Sequence, residues 1–199
     1  MSTLYGVFRS RASRPIWLLY ELGEPFAHIP VIQAYRLKDA RAADAPLNTA
    51  SLEFLKVNPI GQIPAWVEGD LVLTESLAIT NHIARTRGGP LAPQTPEEAA
   101  HLDQWTLLAV TSIEGPALEI QTITGQGGDK TAEGQAAISI CAAKLRRPLA
   151  RLEEHLAVQS YLLDDRFTVA DLNLAECLRY AQGHPTLLAE FPAVKAWLE

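Results

Sequence analysis

Cysteine is almost absent from this chain, which has only Cys141 and Cys177 among its 199 residues. Two cysteines rule out a disulfide scaffold and are typical of a reducing compartment. The sequence also lacks any apolar run near the roughly 20 residues that a membrane span requires, and its first residues lack the basic and apolar regions of a signal peptide. We therefore expect a cytoplasmic protein with no membrane partner.

Basic side chains are not in excess either, since 17 lysines and arginines stand against 23 aspartates and glutamates, for a formal net charge of −6. This acidic balance argues against a nucleic acid partner, because phosphate binding requires a basic face. The five histidines show no spacing that is typical of metal ligands, so we expect no metal. With 48% hydrophobic and 20% charged residues, the composition indicates a folded protein.

The two ends of the chain differ in charge and in periodicity. Residues 1–93 carry 9 basic and 8 acidic side chains, whereas residues 94–199 carry 8 and 15. The first part alternates short strand-like runs with helical patterns, and the second has long helical periods and almost no strand signal. We predict two domains, at 1–87 and 96–199, joined by a proline-rich linker at 88–95.

Turn signals and hydrophobic periods predict the element order β-α-β-α-β-β-α for the first domain. The predicted elements lie at 3–8, 13–23, 27–32, 51–57, 63–67, 71–73 and 74–87. The first three form a right-handed parallel unit, and the closing hairpin adds antiparallel strands. In the second domain, helices are predicted at about 96–124, 131–157, 168–182 and 191–199. This is an α/β domain followed by an all-α domain; the last helix lacks a C-terminal cap, as if a tail beyond Glu199 were missing.

Three segments, taken together, resemble the glutathione S-transferase superfamily, and their order and spacing cover the whole chain. They are Tyr5-Gly6 with Ser10-Arg11-Ala12-Ser13-Arg14; Asn58-Pro59-Ile60-Gly61-Gln62-Ile63-Pro64 with Leu73-Thr74-Glu75-Ser76; and Phe167-Thr168-Val169-Ala170-Asp171-Leu172. The resemblance implies a thioredoxin-like first domain, a glutathione co-substrate and a homodimer. The third segment is also a capping box, to which we assign a role in folding and no catalytic role.

The Ile63-Pro64 pair opens a predicted strand, where a proline removes one ladder hydrogen bond and so favours an edge position. The residues alone fit a trans proline that only blunts the edge. The resemblance instead implies a cis bond, with the main chain of Ile63 pairing with the cysteinyl backbone of glutathione. It also places Gln62 near the glycyl carboxylate.

Glu75 and Ser76 fall in the first turn of a helix that Thr74 is expected to cap. Acidic and hydroxyl residues are common at helix N-termini for structural reasons alone. The same groups suit the γ-glutamyl end of glutathione, since a helix N-terminus with a hydroxyl binds a carboxylate and Glu75 can pair with an ammonium. The resemblance favours this functional interpretation.

A glutathione transferase needs a donor that stabilises the thiolate, and three residues compete for this role. Tyr5 lies in a strand, where packing in the sheet is the simpler explanation, and Ser13 is the natural N-cap of the first helix. Ser10 lies in the loop and has no evident structural role. In the serine-type, bacterial-type members that the chain resembles, the active serine lies four residues before an arginine, and Ser10 and Arg14 have this spacing. Ser10 is our first choice, with Ser13 and Tyr5 as alternates.

Positive charge near this loop, from Arg9, Arg11 and Arg14, would lower the pKa of a bound thiol, although solvated surface arginines are an equally good explanation. No cysteine lies near residue 10, which argues against the cysteine-type branch of the superfamily. The resemblance implies a small hydrophobic electrophile between the domains. Candidate lining residues are Phe8, Arg11, Trp105, Leu108 and Ser112, and ordinary packing explains the last three equally well.

The leading hypothesis is a glutathione transferase of the detoxification type, which directs the glutathione thiolate at small electrophiles. An alternative is a glutathione-dependent isomerase of the maleylacetoacetate type, because Phe8-Arg9-Ser10-Arg11-Ala12-Ser13 is similar to its serine-rich loop. In that pattern, however, Arg14 comes one residue early. A further alternative is a non-catalytic member of the fold that binds or regulates a partner.

Overall fold

The computed structural model describes residues 2–199. Met1, the first residue of the predicted 1–87 domain, lies outside the described residues. The chain divides into two compact units, the first ending at Gly89 and the second running from Pro90 to Glu199. The division falls inside the segment that we predicted as the linker, 88–95. Within residues 2–199, no helix combines the length and the apolar character that crossing a bilayer requires.

The first unit is a four-stranded sheet with three helices, in the order predicted. Its strands lie in the order β2-β1-β3-β4; β1 and β2 are parallel, and the other two pairs are antiparallel. The thioredoxin-like arrangement is therefore confirmed. The elements are β1 (Thr3–Tyr5), α1 (Ser13–Leu22), β2 (Ala27–Ile29), α2 (Leu52–Val57), β3 (Ala65–Glu68), β4 (Leu71–Thr74) and α3 (Ser76–Arg87).

The first two strands are shorter than predicted, for reasons that are local. β1 ends before Gly6, whose φ of 154° is rarely adopted by residues with a side chain. A Cβ at Gly6 would lie only 2.6 Å from the Cβ of Ala12, so the chain here requires glycine. β2 ends before Pro30, which has no N–H to donate to a neighbouring strand. The loop after β1 is consequently longer and includes Phe8.

The core of the first unit lies on both faces of the sheet. One cluster consists of Val31, Phe54 and Ala65, with Tyr5 and Ile63 packed against it. On α1 and α3, which contact each other, the buried apolar residues include Leu18, Leu19, Ile79 and Ile83. Burial of each such side chain contributes about 1.5–3 kcal/mol, which is why the apolar periodicity of the sequence predicts these helices.

The second unit is helical, which confirms the predicted all-α domain. Its helices are α4 (Pro96–Leu108), α5 (Gly115–Gly125), α6 (Ala132–Leu156), α7 (Val169–Leu178) and α8 (Pro192–Leu198). The predicted helix 96–124 is interrupted by a π-helical segment, Ala109–Glu114. Pro116 follows directly, and it has no N–H to donate to the carbonyl of Ser112, four residues earlier, so the regular α pattern cannot continue there.

The N-terminus of α7 is closed by its own side chains. The hydroxyl of Thr168 accepts from the helix main chain, and the carboxylate of Asp171 accepts from the N–H of Thr168 at 2.9 Å, which completes the predicted capping box. Both residues are fully buried. The same carboxylate accepts from the indole of Trp197 at 3.0 Å, so the box also ties α8 to α7.

Candidate functional site

Ser10 has a structural role that its position in the sequence does not reveal. Its hydroxyl donates to the carbonyl of Val7 at 2.6 Å and accepts from the N–H of Ala12 at 3.0 Å. The side chain is half-buried. Ser10 therefore fixes the loop that leads into α1, and a ligand sulfur would have to compete for its hydrogen.

The two alternates to Ser10 are also placed differently from the prediction. Ser13 is not the N-cap of α1, because Ala12 occupies that position with helical dihedral angles, and Ser13 is already inside the helix. Tyr5 packs in the sheet, with its ring centroid 6.1 Å from that of Phe54. Packing is thus the simpler explanation for Tyr5, as its strand position suggested.

The start of β3 lies beside the loop that carries Ser10. A Cβ at Gly6 would come within 3.8 Å of both Ile63 and Pro64, which shows how closely the two chain segments approach. The Ile63-Pro64 bond is cis, as the resemblance implies. Within residues 2–199, neither the N–H nor the C=O of Ile63 has a main-chain partner. Gln62 precedes it with an exposed side chain, while its carbonyl accepts from Asn58 at 2.7 Å.

The N-terminus of α3 differs from the prediction by one residue. Thr74 ends β4, and Glu75 rather than Thr74 occupies the N-cap position, with φ 64° and ψ 111°. A residue with a Cβ pays of order 1–3 kcal/mol for such a conformation, and residues of this kind cluster at functional sites. Glu75 is exposed and its side chain caps no main-chain N–H, whereas Ser76 is buried.

Arg14 joins the beginnings of α1 and α3. Its side chain is 1% exposed, and its Nη1 donates to the hydroxyl of Ser76 at 2.8 Å. The explanation of Arg14 as a solvated surface arginine is therefore wrong. The reason is geometric: Arg14 lies four residues before the buried Leu18, so both side chains point from the buried face of α1.

Two of the predicted electrophile-lining residues, Phe8 and Arg11, lie on the exposed side of the loop before α1. Phe8 is 59% exposed and stands edge-on to His28, with ring centroids 5.6 Å apart. Arg11 is exposed as well. Both side chains lie within four residues of Ser10 along the chain, so the loop presents one aromatic and one cationic group next to the candidate sulfur site.

The other three candidates lie in the second unit and differ in burial. Trp105 is 1% exposed, its indole donates to the carbonyl of Leu162 at 3.2 Å, and its ring meets that of His155 edge-on, so it is a core residue of the helices. Leu108 and Ser112 are half-buried. Regular α-helical spacing does not connect Trp105 with Ser112, because the π-helical segment begins between them.

The thiols and other potential metal ligands form no second site. Cys141 and Cys177 are both buried, as predicted, and burial raises the pKa of the Cys141 thiol to about 11, with Glu119 contributing. Such a thiol is inert near neutral pH. Across residues 2–199, no three His, Cys, Asp or Glu side chains come together in a way that could hold a metal ion.

Comparison with known proteins assigns the chain to a family. Family models described as the N-terminal and C-terminal domains of glutathione S-transferase match residues 2–85 and 100–199. The chain belongs to the glutathione S-transferase family.

Curated and solved members of the glutathione S-transferase family agree with this assignment over most of the chain. Glutathione S-transferase 3 of Zea mays is 37% identical over 159 residues, which are 74% of this chain and 69% of that protein. The crystal structure of glutathione transferase F7 from Populus trichocarpa is 30% identical, covers 100% of this chain and 92% of its own, and superposes with a TM-score of 0.79.

A second similar structure has glutathione bound. It is the theta class glutathione S-transferase from the citrus canker pathogen Xanthomonas axonopodis pv. citri with glutathione bound, which is 26% identical. It covers 99% of this chain and 90% of its own, with a TM-score of 0.78.

The contact between Arg14 and Ser76 is one that the sequence patterns did not reveal. The two residues are 62 positions apart, so no local motif contains both. A signal was nevertheless available, because Arg14 occupies a position on the apolar face of α1. A cation on a buried face requires a polar partner from another element.

Proposed function

We propose that this protein is a glutathione transferase that binds glutathione, stabilises its thiolate and directs it at small hydrophobic electrophiles. The observation that carries the proposal is an unpaired main-chain edge at Ile63 beside an uncapped helix N-terminus at Glu75 and Ser76. The names of the similar proteins, and the glutathione in one of the similar structures, support the choice of ligand.

Each part of glutathione has a matching group in the first unit. The cysteinyl backbone would pair with the N–H and C=O of Ile63, next to the cis bond of Pro64, as an added strand does at a sheet edge. The γ-glutamyl carboxylate would accept from Ser76, and its ammonium would pair with Glu75. Gln62, which is exposed, would contact the glycyl carboxylate.

Stabilisation of the thiolate falls to Ser10 in this proposal. A free thiol has a pKa of about 8.5, so only about 3% is ionised at pH 7. The hydroxyl of Ser10 and the positive end of α1 together favour the ionised form. Ser13 and Tyr5 remain the alternates, although the packing of Tyr5 against Phe54 leaves it a weaker one.

The reaction is attack by the thiolate on an electrophilic carbon. The sulfur lone pair forms the new S–C bond, and the displaced electrons leave with a leaving group or move onto a conjugated acceptor. The protein supplies orientation and charge stabilisation, with no covalent intermediate. Phe8 and Arg11 are the proposed electrophile-lining residues of the first unit; Leu108 and Ser112 of the second unit stay predictions. A homodimer in the cytoplasm completes the proposal; the buried thiols suit that compartment.

The test is a titration with glutathione at neutral pH that follows thiolate absorbance by difference spectroscopy. We expect thiolate in the wild type and its loss in Ser10→Ala, with a decrease of about 100-fold in kcat/KM. Ser10→Thr keeps a hydroxyl and should retain most of the thiolate. Ser139→Ala, an exposed serine on α6, is the matched control.

The other outcomes distinguish the alternatives. Thiolate that survives in Ser10→Ala would transfer the role to Ser13, Tyr5 or main-chain amides. Glutathione that binds without forming thiolate would favour a non-catalytic binding or regulatory protein. Turnover of a cis-dienone with glutathione recovered unchanged would favour the maleylacetoacetate type of isomerase. Absence of glutathione binding would overturn the proposed function and leave only the fold.

A further inference from the structure

Ser76 is a buried hydroxyl with only one of its three hydrogen-bonding positions in use. The side chain is 4% exposed and lies at the first position of α3. Its oxygen accepts from Nη1 of Arg14 at 2.8 Å. Among residues 2–199, no acceptor takes the hydrogen of this hydroxyl. A buried donor without an acceptor is unfavourable, so the site is arranged for an acceptor that the folded chain does not itself supply.

The guanidinium determines how Ser76 can interact with that acceptor. A hydroxyl has one hydrogen and two lone pairs, and an arginine can only donate. Because Arg14 can only donate to the Ser76 oxygen, the hydroxyl keeps its own hydrogen for a further acceptor. A hydrogen bond from a cation also polarises the O–H group and strengthens its onward hydrogen bond.

The electrostatics at this point select an anion. Arg14 lies at the second position of α1, where a cation is disfavoured by the helix dipole, and α3 begins beside it with its own positive end. Three sources of positive potential therefore meet at Ser76: the guanidinium and the N-termini of two helices. Exposed Glu75 is adjacent and suits a cationic group next to the anion.

We propose that Arg14 is a positioning residue for glutathione, which holds the Ser76 hydroxyl as a committed donor to the γ-glutamyl carboxylate. Arg14 does not touch the ligand in this proposal; it acts through Ser76. The inference rests on the proposed function, because it assumes that glutathione is the ligand at the start of α3.

The experiment is a double-mutant cycle with Arg14→Met, Ser76→Ala and the double variant, read by calorimetric titration with two ligands. One ligand is glutathione, and the other is γ-aminobutyryl-cysteinyl-glycine, which keeps the amine and lacks only the γ-glutamyl carboxylate. Arg85→Met, which removes an exposed arginine from the last turn of α3, is the matched control. Thermal unfolding and circular dichroism establish that each variant is folded.

We expect each single variant to raise the Kd for glutathione about tenfold, as loss of a hydrogen bond to a charged group does. The double variant should bind no more weakly than the weaker single variant, because both changes remove the same interaction. The Kd for the carboxylate-free analogue should be the same in all four proteins. A role for Arg14 in folding alone would weaken both ligands equally and would overturn the inference.

Two further outcomes are decisive. Additive effects of Arg14→Met and Ser76→Ala, or an unchanged glutathione Kd in Arg14→Met, would overturn the inference while leaving the proposed function intact. A wild type that does not bind glutathione would overturn the proposed function itself. If Arg14→Met fails to fold, Arg14→Lys keeps the charge without the planar fork, and we expect its preference for glutathione over the analogue to fall roughly threefold. An unchanged preference would count against Arg14.

Discussion

The first turns of α7 and α3 use similar polar residues in opposite ways. At α7, Thr168 and Asp171 are fully buried and satisfy the helix N-terminus and each other. At α3, the side chain of Glu75 caps nothing, its backbone adopts φ 64°, and the hydroxyl hydrogen of Ser76 has no acceptor in the described chain. Both helices begin after a threonine that looks like a cap in the sequence.

The difference separates a helix start that serves folding from one that is available to a ligand. A capping box leaves no donor free for a ligand, so its loss should lower the free energy of unfolding. An uncapped N-terminus with a strained backbone lowers stability locally, and the rest of the fold tolerates this. Substitutions there should therefore change the affinity for a ligand more than the free energy of unfolding. Stability and binding can therefore be measured separately at two comparable places.

The largest effect should come from Asp171→Ala. The carboxylate accepts from the N–H and hydroxyl of Thr168, the N–H of Leu162 and the indole of Trp197. Its removal leaves the buried donors of Thr168 and Leu162, and the half-buried indole, without an acceptor, and we expect the free energy of unfolding to fall by about 3–5 kcal/mol in urea denaturation. Exposed Asp165→Ala, the control, should change it by less than about 0.5 kcal/mol. A decrease below about 1 kcal/mol in Asp171→Ala would contradict the comparison.

Glu75→Gln should have the opposite profile. The change removes the charge and keeps the size, so we expect the glutathione Kd to rise about tenfold while the free energy of unfolding changes by less than about 0.5 kcal/mol. N-acetylated glutathione, which lacks the ammonium, should bind both proteins equally in the same titration. Glu53→Gln, at an exposed position of α2, is the control. Equal loss of affinity for both ligands would show that Glu75 does not pair with the ammonium.

A smaller effect is expected at Glu68, at the other end of β3. Burial acts to raise the pKa of Glu68, but hydrogen bonds from His82 and Trp66 and the charge of Arg87 outweigh it and hold the pKa below 4.5. The unfolded state therefore binds this proton more readily, so the stabilisation is present above pH 4.5 and is lost as the pH falls through the lower folded value.

The measurement at Glu68 is the difference in unfolding free energy between wild type and Glu68→Gln across acidic pH. Because the side chain is 32% exposed, we expect a difference of less than about 1 kcal/mol. It should shrink as the solution is acidified. A difference that grows on acidification would reverse the sign assigned to this cluster, and glutathione affinity should be unaffected by the substitution.

Features that depend on neighbours in the sequence were predicted well. The order of elements, the all-helical second unit and the capping box of Thr168 and Asp171 are confirmed, because hydrophobic periodicity and capping act within a few residues. Errors of one residue arose at the starts of α1 and α3, where the loop geometry determines the first helical residue. There, Ala12 and Glu75 replace the predicted caps Ser13 and Thr74.

Features that depend on distant partners were not predicted. The burial of Arg14 follows from Ser76, which lies 62 positions away. The π-helical segment was missed as well, because the hydrophobic periodicity runs without a break through Ala109–Glu114 and predicts one continuous helix there. The cis bond at Pro64 came only from the resemblance, since the residues alone favour a trans edge proline.

The hydrogen bond from Ser10 to the carbonyl of Val7 affects which protonation state of a ligand thiol would bind there. At 2.6 Å, this hydroxyl already has a good acceptor before any ligand arrives. A ligand sulfur can accept the hydrogen of the Ser10 hydroxyl only if it replaces the carbonyl of Val7, so the number of hydrogen bonds at Ser10 stays the same. A neutral thiol is a weaker acceptor than a carbonyl and would lose that competition, whereas a thiolate carries a full charge and would win it. If Ser10 contacts the sulfur as proposed, the loop would therefore favour binding of the thiolate over the neutral thiol.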